Sequence, residues 1–245
     1  MAASDERTQA ERSTIPELSR LDFSREQRTG IPEIVLAGVK PDEQVVAAVR
    51  AFLDRTGHVV VSRLRDTTAE RLTREFPTCA VDHRAIAHSA AIHRPGYVRL
   101  RADGRIGVLT AGTSDVPVAE EARLIAEEMG CDVYTAYDVG VAGIHRLFEP
   151  LATMLAARVA ALVVCAGMDG ALASVVAGLS PVPVVGVPVS TGYGAGGKGR
   201  AALLAMLQTC APGLTVVNVD NGVGAGATAA LIANREAAAR SGGAK

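Results

Sequence analysis

The sequence predicts an α/β protein, a three-layer doubly wound parallel sheet preceded by a small α/β domain, and three observations carry that prediction. After Arg99, five short apolar runs, "RIGVLTAG", "CDVYTAYDVG", "VAALVVCAG", "VPVVGVPVS" and "LTVVNVDNG", alternate with helical stretches rich in Ala and Leu. Strands that are apolar along their whole length belong to sheets covered on both faces, and alternation with helices makes such a sheet parallel. Finally, 49% of residues are apolar but only 3% are aromatic and none is Trp, so the core is built from Ala, Val and Leu.

The elements follow in order. Residues 1–20 are rich in Glu, Arg and Ser and poor in large apolar groups, the composition of a flexible arm. Residues 21–98 form the small domain. Here "IPEIVLAG" reads as a strand, "PDEQVVAAVRAFLDRTG" as an amphipathic helix opened by Pro41 and Asp42 and closed by Gly57, and "HVVVSRL" as a second strand. "TTAERLTREF" supplies a second helix, and Pro95 and Gly96 mark the boundary. Residues 99–245 hold the regular sheet. Ligands of such sheets sit beyond the carboxyl ends of the strands. There the chain places "TAGTSD", "YDVGVAG", "CAGMDG", "STGYGAGGKG" and "DNGVGAG".

Composition excludes some functions. With 25 basic against 26 acidic side chains the net charge is −1, too little to attract nucleic acid or an anionic membrane. The charged first thirty residues contain no apolar core, so no secretory signal is expected, and no later segment suits a bilayer span. Cys79, Cys131, Cys165 and Cys210 are far apart and form no Cys-x-x-Cys pair. Reduced thiols in a cytoplasmic protein are the expectation.

The glycine-rich loops carry the candidate chemistry. Gly112, Thr113, Ser114 and Asp115 precede a helix whose free N–H groups and neighbouring hydroxyls suit a phosphate or carboxylate, although Ser114 or Asp115 also suits an ordinary cap. "STGYGAGGKGR" puts five glycines in the eight residues from Gly192 to Gly199, beside Lys198 and Arg200, a composition that lets backbone approach an anion. It matches the phosphate loop of nucleotide triphosphatases as far as Lys198. Gly199 then stands where that loop needs Ser or Thr. "GVGAGA" from Gly222 fits a dinucleotide fingerprint, but no strand-end acid follows it about twenty residues on. Close helix packing explains those glycines better, with a ligand-facing role open to Asp220 and Asn221.

Asp169 lies between small residues at a strand end, placed either as a helix cap or as a functional acid. "DVGVAGIHRLF" offers Asp138, His145 and Arg146, while His83, His88 and His93, spaced by five, read as surface or packing residues. Cys165 ends the apolar run "ALVVC" as a core residue does. Cys210 lies outside the apolar runs, in the turn "CAPG", where water or a ligand reaches it.

Taken in order, "LDFSREQRTGIPEIV", "TAGTSDVPVAEEA", "YDVGVAGIHRL", "CAGMDGALASVVAG" and "CAPGLTVVNVDNGVGAG" resemble the LarB family, the carboxylase/hydrolases of nickel-pincer nucleotide biosynthesis. The resemblance covers roughly residues 20–240. Its C-terminal half is also similar to the aminoimidazole ribonucleotide carboxylase PurE, which implies a PurE-like fold for the sheet domain. The resemblance implies carboxylation of the pyridinium ring of nicotinic acid adenine dinucleotide by CO₂. It also implies hydrolysis of the phosphoanhydride, leaving AMP and pyridinium-3,5-biscarboxylic acid mononucleotide.

In that reading Cys210 matches the family cysteine that forms a transient cysteinyl-pyridine adduct, and Asp169 stands where the family usually has a glutamate base. Gly112, Thr113, Ser114, Asp115, Asp138, Gly192, Tyr193, Gly194, Asp220, Asn221 and Gly222 are the expected substrate-binding residues. Mg²⁺ is the expected cofactor of the hydrolysis, with Asp115 and Asp138 as its ligands. A homo-oligomer, plausibly an octamer, is the expected assembly. Two alternatives are a PurE-type enzyme, whose chemistry uses a histidine and needs no thiol, and a non-enzymatic nucleotide-binding regulator.

Overall fold

The computed structural model describes residues 21–242, so the expected arm at 1–20 lies outside the described residues. The chain divides into two compact units. One runs to His83 and includes Ala90–Tyr97; the other holds Arg84–Ser89 and everything from Val98 onward.

In the first unit a short helix, α1 (Arg25–Thr29), stops at Gly30, whose φ of 73° is left-handed. Strand β1 (Ile34–Leu36) leads through Pro41 to α2 (Asp42–Arg55), then β2 (His58–Ser62), α3 (Asp66–Glu75), β3 (Ala80–Arg84) and β4 (Ser89–His93). Asp42 and Glu43 in the first turn of α2 complement the positive end of its dipole, as Arg55 does the negative end. Its Val45, Val49, Phe52 and Leu53 pack with β2 into a core of their own. The sheet order is β1-β2-β4-β3, with β1 and β2 parallel and β2 and β4 antiparallel. Both expected strands and both expected helices are present. Strands β3 and β4 complete the sheet, and neither was read from the sequence. His93 stacks on Tyr97 with ring centroids 5.1 Å apart, which makes it a packing residue.

The second unit repeats strand and helix: β5 (Arg105–Thr110), α4 (Val116–Glu128), β6 (Asp132–Ala136), α5 (His145–Ala156), β7 (Ala161–Ala166), α6 (Ala171–Leu179), β8 (Val184–Pro188), α7 (Arg200–Leu207), β9 (Leu214–Val216) and α8 (Gly222–Gly242). The five strands are all parallel in the order β6-β5-β7-β8-β9. Central β7 and β8 are buried along their whole length, whereas edge strands β6 and β9 are partly exposed. This is the continuous apolar pattern expected of strands covered on both faces.

Leu147, Leu151 and Met154 of α5, Leu172 and Val176 of α6, and Met206 of α7 pack with Leu162 and Val164 of β7 in one cluster. Each such large apolar side chain contributes about 1.5–3 kcal/mol when fully buried. Helices α4 and α8 form another packed pair. There a Cβ at Gly226 would collide with the backbone of Ala122, and one at Gly222 with that of Val118. The "GVGAG" glycines therefore let α8 lie against α4.

Candidate active site

The chain leaves β5 for β6 on one side of the sheet and comes back to β7 on the other. The loops after β5 and β7 diverge there, leaving a crevice at the carboxyl ends of the strands. The crevice is a cleft of about 580 Å³ walled by the loops after β5, β6, β7 and β8. Its size suits a small organic ligand or part of a dinucleotide.

From the β5 loop, Gly112, Ser114 and Asp115 line the cleft. Thr113 belongs to the same short 3-10 turn but is not part of the wall. Asp115 is only 3% exposed. Its Oδ2 accepts the N–H of Gly112 at 2.9 Å and its Oδ1 that of Gly167 at 3.1 Å, tying the loops after β5 and β7 together. Burial raises its pKa; the two N–H donors oppose that shift and the charge of Asp220 adds to it. The sequence suggested a ligand for substrate or metal. The fold instead commits both carboxylate oxygens to bracing the cleft.

From the β6 loop come Asp138, Gly140 and, in the first turn of α5, Arg146. Asp138 has a left-handed φ of 58° and donates its N–H to Thr110 Oγ1 at 3.0 Å. Its carboxylate pairs with the Arg146 guanidinium. Arg146 is the one cation lining the cleft among the described residues, and it was not among the expected binding residues. The available signal was its place in the first turn after a strand-end loop, where an exposed cation faces whatever the loop holds.

The β7 loop contributes Gly167, Met168 and Asp169. Asp169 is exposed, and its Oδ1 accepts the N–H of Ala171 at 3.2 Å. It thus caps the start of α6 while standing on the cleft wall, so both readings of this residue are compatible. From the β8 loop, Gly192, with a φ of 147°, and Tyr193 line the rim, while Gly194 does not. Lys198 and Arg200 are exposed and stand outside the wall.

Other expected site residues lie outside the cleft. Asp220 accepts the N–H of Ser190 at 2.8 Å, fixing the loop after β8. Asn221 accepts the N–H of Gly224 at 2.8 Å, which caps α8, and Gly222 starts that helix against Val118 and Glu121. None of the three lines the cleft.

Cys210 requires the larger correction. Expected to act on the same ring as Asp169, it sits between α7 and β9, before the first residue of β9, rather than in a loop that follows a strand. Because β9 runs parallel to β8, with Leu214 opposite Val184, that position is the amino end of the sheet, away from the cleft. Cys210 is exposed there, whereas Cys165 and Cys131 are buried. Burial pushes the Cys165 thiol well above its usual value, with the charge of Asp115 adding to it, and pushes Cys131 to about 12. Both are inert core thiols.

A magnesium seat does not fit these residues. Each oxygen of Asp115 already holds a backbone N–H, and Asp138 is paired with Arg146. Among the described residues no three His, Cys, Asp or Glu side chains gather into a metal-binding group. Nor is any described helix long and apolar enough to cross a membrane.

Comparison with known proteins agrees with this architecture. Residues 105–242 match the AIR carboxylase family, and residues 14–94 match the LarB/PurE-like N-terminal domain. An uncharacterised protein of Methanocaldococcus jannaschii is 42% identical over 224 residues, covering 89% of this chain and 85% of that protein. The N5-carboxyaminoimidazole ribonucleotide mutase of Thermotoga maritima is 30% identical over 135 residues, 52% of this chain and 74% of the mutase. That of Pyrococcus abyssi is 32% identical over 133 residues, 53% of this chain and 71% of the mutase. With its LarB/PurE-like N-terminal domain followed by a PurE-related carboxylase domain on a five-stranded parallel sheet, the chain belongs to the LarB family.

Proposed function

We propose that the protein carboxylates the pyridinium ring of nicotinic acid adenine dinucleotide and hydrolyses its phosphoanhydride. The products are AMP and pyridinium-3,5-biscarboxylic acid mononucleotide. The observation that carries this reading is the ion pair of Asp138 and Arg146 in a glycine-walled cleft at the switch point of a LarB-family fold. A substrate phosphate or carboxylate displaces Asp138 and takes the guanidinium, a charge-assisted partner with the planar geometry such groups prefer.

The ring is electron-poor and cannot attack CO₂ unaided. The Cys210 thiolate adds to a ring carbon; the C–S bond forms as a π pair moves onto nitrogen and cancels its charge. The enamine carbon so made attacks CO₂, forming a C–C bond and returning the positive charge to nitrogen. Asp169 takes the proton from that carbon and the C–H pair restores the enamine. Nitrogen then expels the thiolate, and the ring is aromatic again. In the hydrolysis, water adds to phosphorus as AMP leaves. Mg²⁺ is proposed only as a counter-ion of the substrate's own phosphates, because the cleft offers it no seat.

The LarB/PurE-like N-terminal domain at residues 14–94 favours this reading over a PurE-type reaction on an aminoimidazole. The test is mass spectrometry of products from nicotinic acid adenine dinucleotide, bicarbonate and Mg²⁺. The expected result is AMP together with a mononucleotide heavier by one carboxylate. Turnover of an aminoimidazole ribonucleotide with the pyridine dinucleotide unchanged would replace this reading.

A further inference from the structure

The ion pair on the cleft wall depends on where one strained residue stands. Asp138 has a φ of 58°, a left-handed conformation that a residue with a side chain keeps only where its surroundings fix it. They fix it from two sides. Toward the sheet, fully buried Thr110 at the end of β5 accepts the Asp138 N–H at its Oγ1, 3.0 Å away. Toward α4, Tyr137, the residue before Asp138, donates its hydroxyl to Oε1 of Glu120. Neither Thr110 nor Tyr137 lines the cleft.

Glu120 is itself held in place. Its side chain is 12% exposed, and Arg123, one turn on, donates to the same Oε1 at 3.3 Å. Arg123 also donates to Glu127 at 2.7 Å, and Arg84, which belongs to the same compact unit, pairs with Glu127 and stands 4.0 Å from Glu120. Two arginines thus bracket two glutamates on one face of α4. Burial, with the Glu120 carboxylate adding to it, pushes the Tyr137 hydroxyl up to about 12. It keeps its proton at neutral pH and goes on donating.

We propose that Tyr137, through Glu120, and Thr110 are positioning residues for substrate binding, clamping strained Asp138 so that its carboxylate and Arg146 stay aimed into the cleft. This rests on the reading above, in which Arg146 receives a substrate phosphate or carboxylate. The side chains of Asp138 and Arg146 are 48% and 40% exposed, so the pair is open to exchange with an incoming anion. The backbone behind it is not. Loosening the clamp lets Asp138 relax to an ordinary conformation and draws its carboxylate, with the guanidinium, off the wall. The loss falls on binding and leaves the chemical step alone.

Tyr137→Phe keeps the ring and removes only the hydroxyl. Calorimetry should show dinucleotide binding weakened by about 10-fold, and the kinetic loss should appear in KM with kcat near that of wild type. Added to Arg146→Ala, the same substitution should cost nothing further, because it acts only through the guanidinium. Thr110→Val should reproduce the loss, and Thr110→Ser, which restores the hydroxyl, should rescue binding. Hydrogen exchange needs no ligand: in Tyr137→Phe it should rise by about 10-fold or more at the amides of residues 138–143 and stay unchanged in α6. Wild-type binding by Tyr137→Phe, unchanged exchange at those amides, or an equal further loss on top of Arg146→Ala overturns the clamp and leaves the carboxylase reading standing. Full binding by Arg146→Ala overturns the clamp together with the anion seat it serves.

Discussion

The two ends of the five-stranded sheet are built differently. At the amino end the connections are stitched into the strands: the N–H of Ala160 reaches the carbonyl of Arg105, that of Leu162 the carbonyl of Pro183, and that of Val184 the carbonyl of Gly213. At the carboxyl end, loops open into a cleft, and buried Asp115 and half-buried Asp220 hold them through backbone N–H groups. Backbone bonds run there too, from the N–H of Ala111 to the carbonyl of Cys165 and from that of Val189 to the carbonyl of Ala166, so what sets the carboxyl end apart is the pair of carboxylate braces between its loops. The reactive thiol candidate belongs to the stitched end and the binding groups to the open end. A strand-to-helix fold concentrates ligand-binding backbone at only one end.

Substitutions at the two ends test this contrast. Cys210→Ser is expected to have the largest effect, lowering carboxylation by roughly 10³-fold or more with the fold intact, as read by product mass in single turnovers. Its counterpart Cys165→Ser should keep turnover and lose about 1–3 kcal/mol in denaturant unfolding, because it buries a hydroxyl among apolar groups. Equal losses of turnover in the two variants would erase the distinction.

Asp169→Asn should lower turnover by about 10²-fold or more and leave a cysteinyl adduct visible as added mass on Cys210, since the ring keeps its proton and cannot expel sulfur to become aromatic again. Asp169→Glu should retain activity. An Asn variant that turns over freely without adduct reduces Asp169 to the cap of α6.

Arg146→Ala should weaken dinucleotide binding by about 10- to 100-fold by calorimetry, the value of a charge-assisted contact of about 1.5–3 kcal/mol. Unchanged binding would move the anion site away from this pair.

The smallest expected effect is at Asp115. Its folded pKa is raised, so its contribution to stability is complete below the ordinary carboxylate range and is lost as pH rises through the folded value. Wild type should therefore gain stability relative to Asp115→Asn as pH falls from neutral toward about 4, measured by urea unfolding at several pH values. A constant difference would show that the brace does not titrate in that window.

Much of this was legible before any coordinates. Five apolar runs ending in Gly or Ser specified the parallel sheet and the end that carries the ligand loops, and "GVGAGA" read correctly as a helix-packing motif. Strands β3 and β4 went unread because "AVDHR" and "SAAIH" have neither a continuous apolar run nor clean alternation. Asp115, Asp220 and Asn221 looked like ligands because a strand-end carboxylate or amide has the same sequence signature whether it faces a substrate or a backbone N–H. Arg146, offered by "DVGVAGIHRLF", was left off the expected binding residues because one arginine in a helix is ordinary until the wall around it is known.

By itself the sequence determined the order of elements, the parallel sheet and the glycine-rich loops, because those follow from local periodicity and from which residues tolerate a turn. Only the tertiary structure decided which polar groups face the cleft and which are consumed in holding it open. It also decided that Cys210 and Asp169, 41 positions apart in the chain, stand at opposite ends of the sheet. The physical reason is direction: in a parallel sheet every loop before a strand goes to one end and every loop after it to the other. Cys210 precedes its strand whereas Asp169 follows its own.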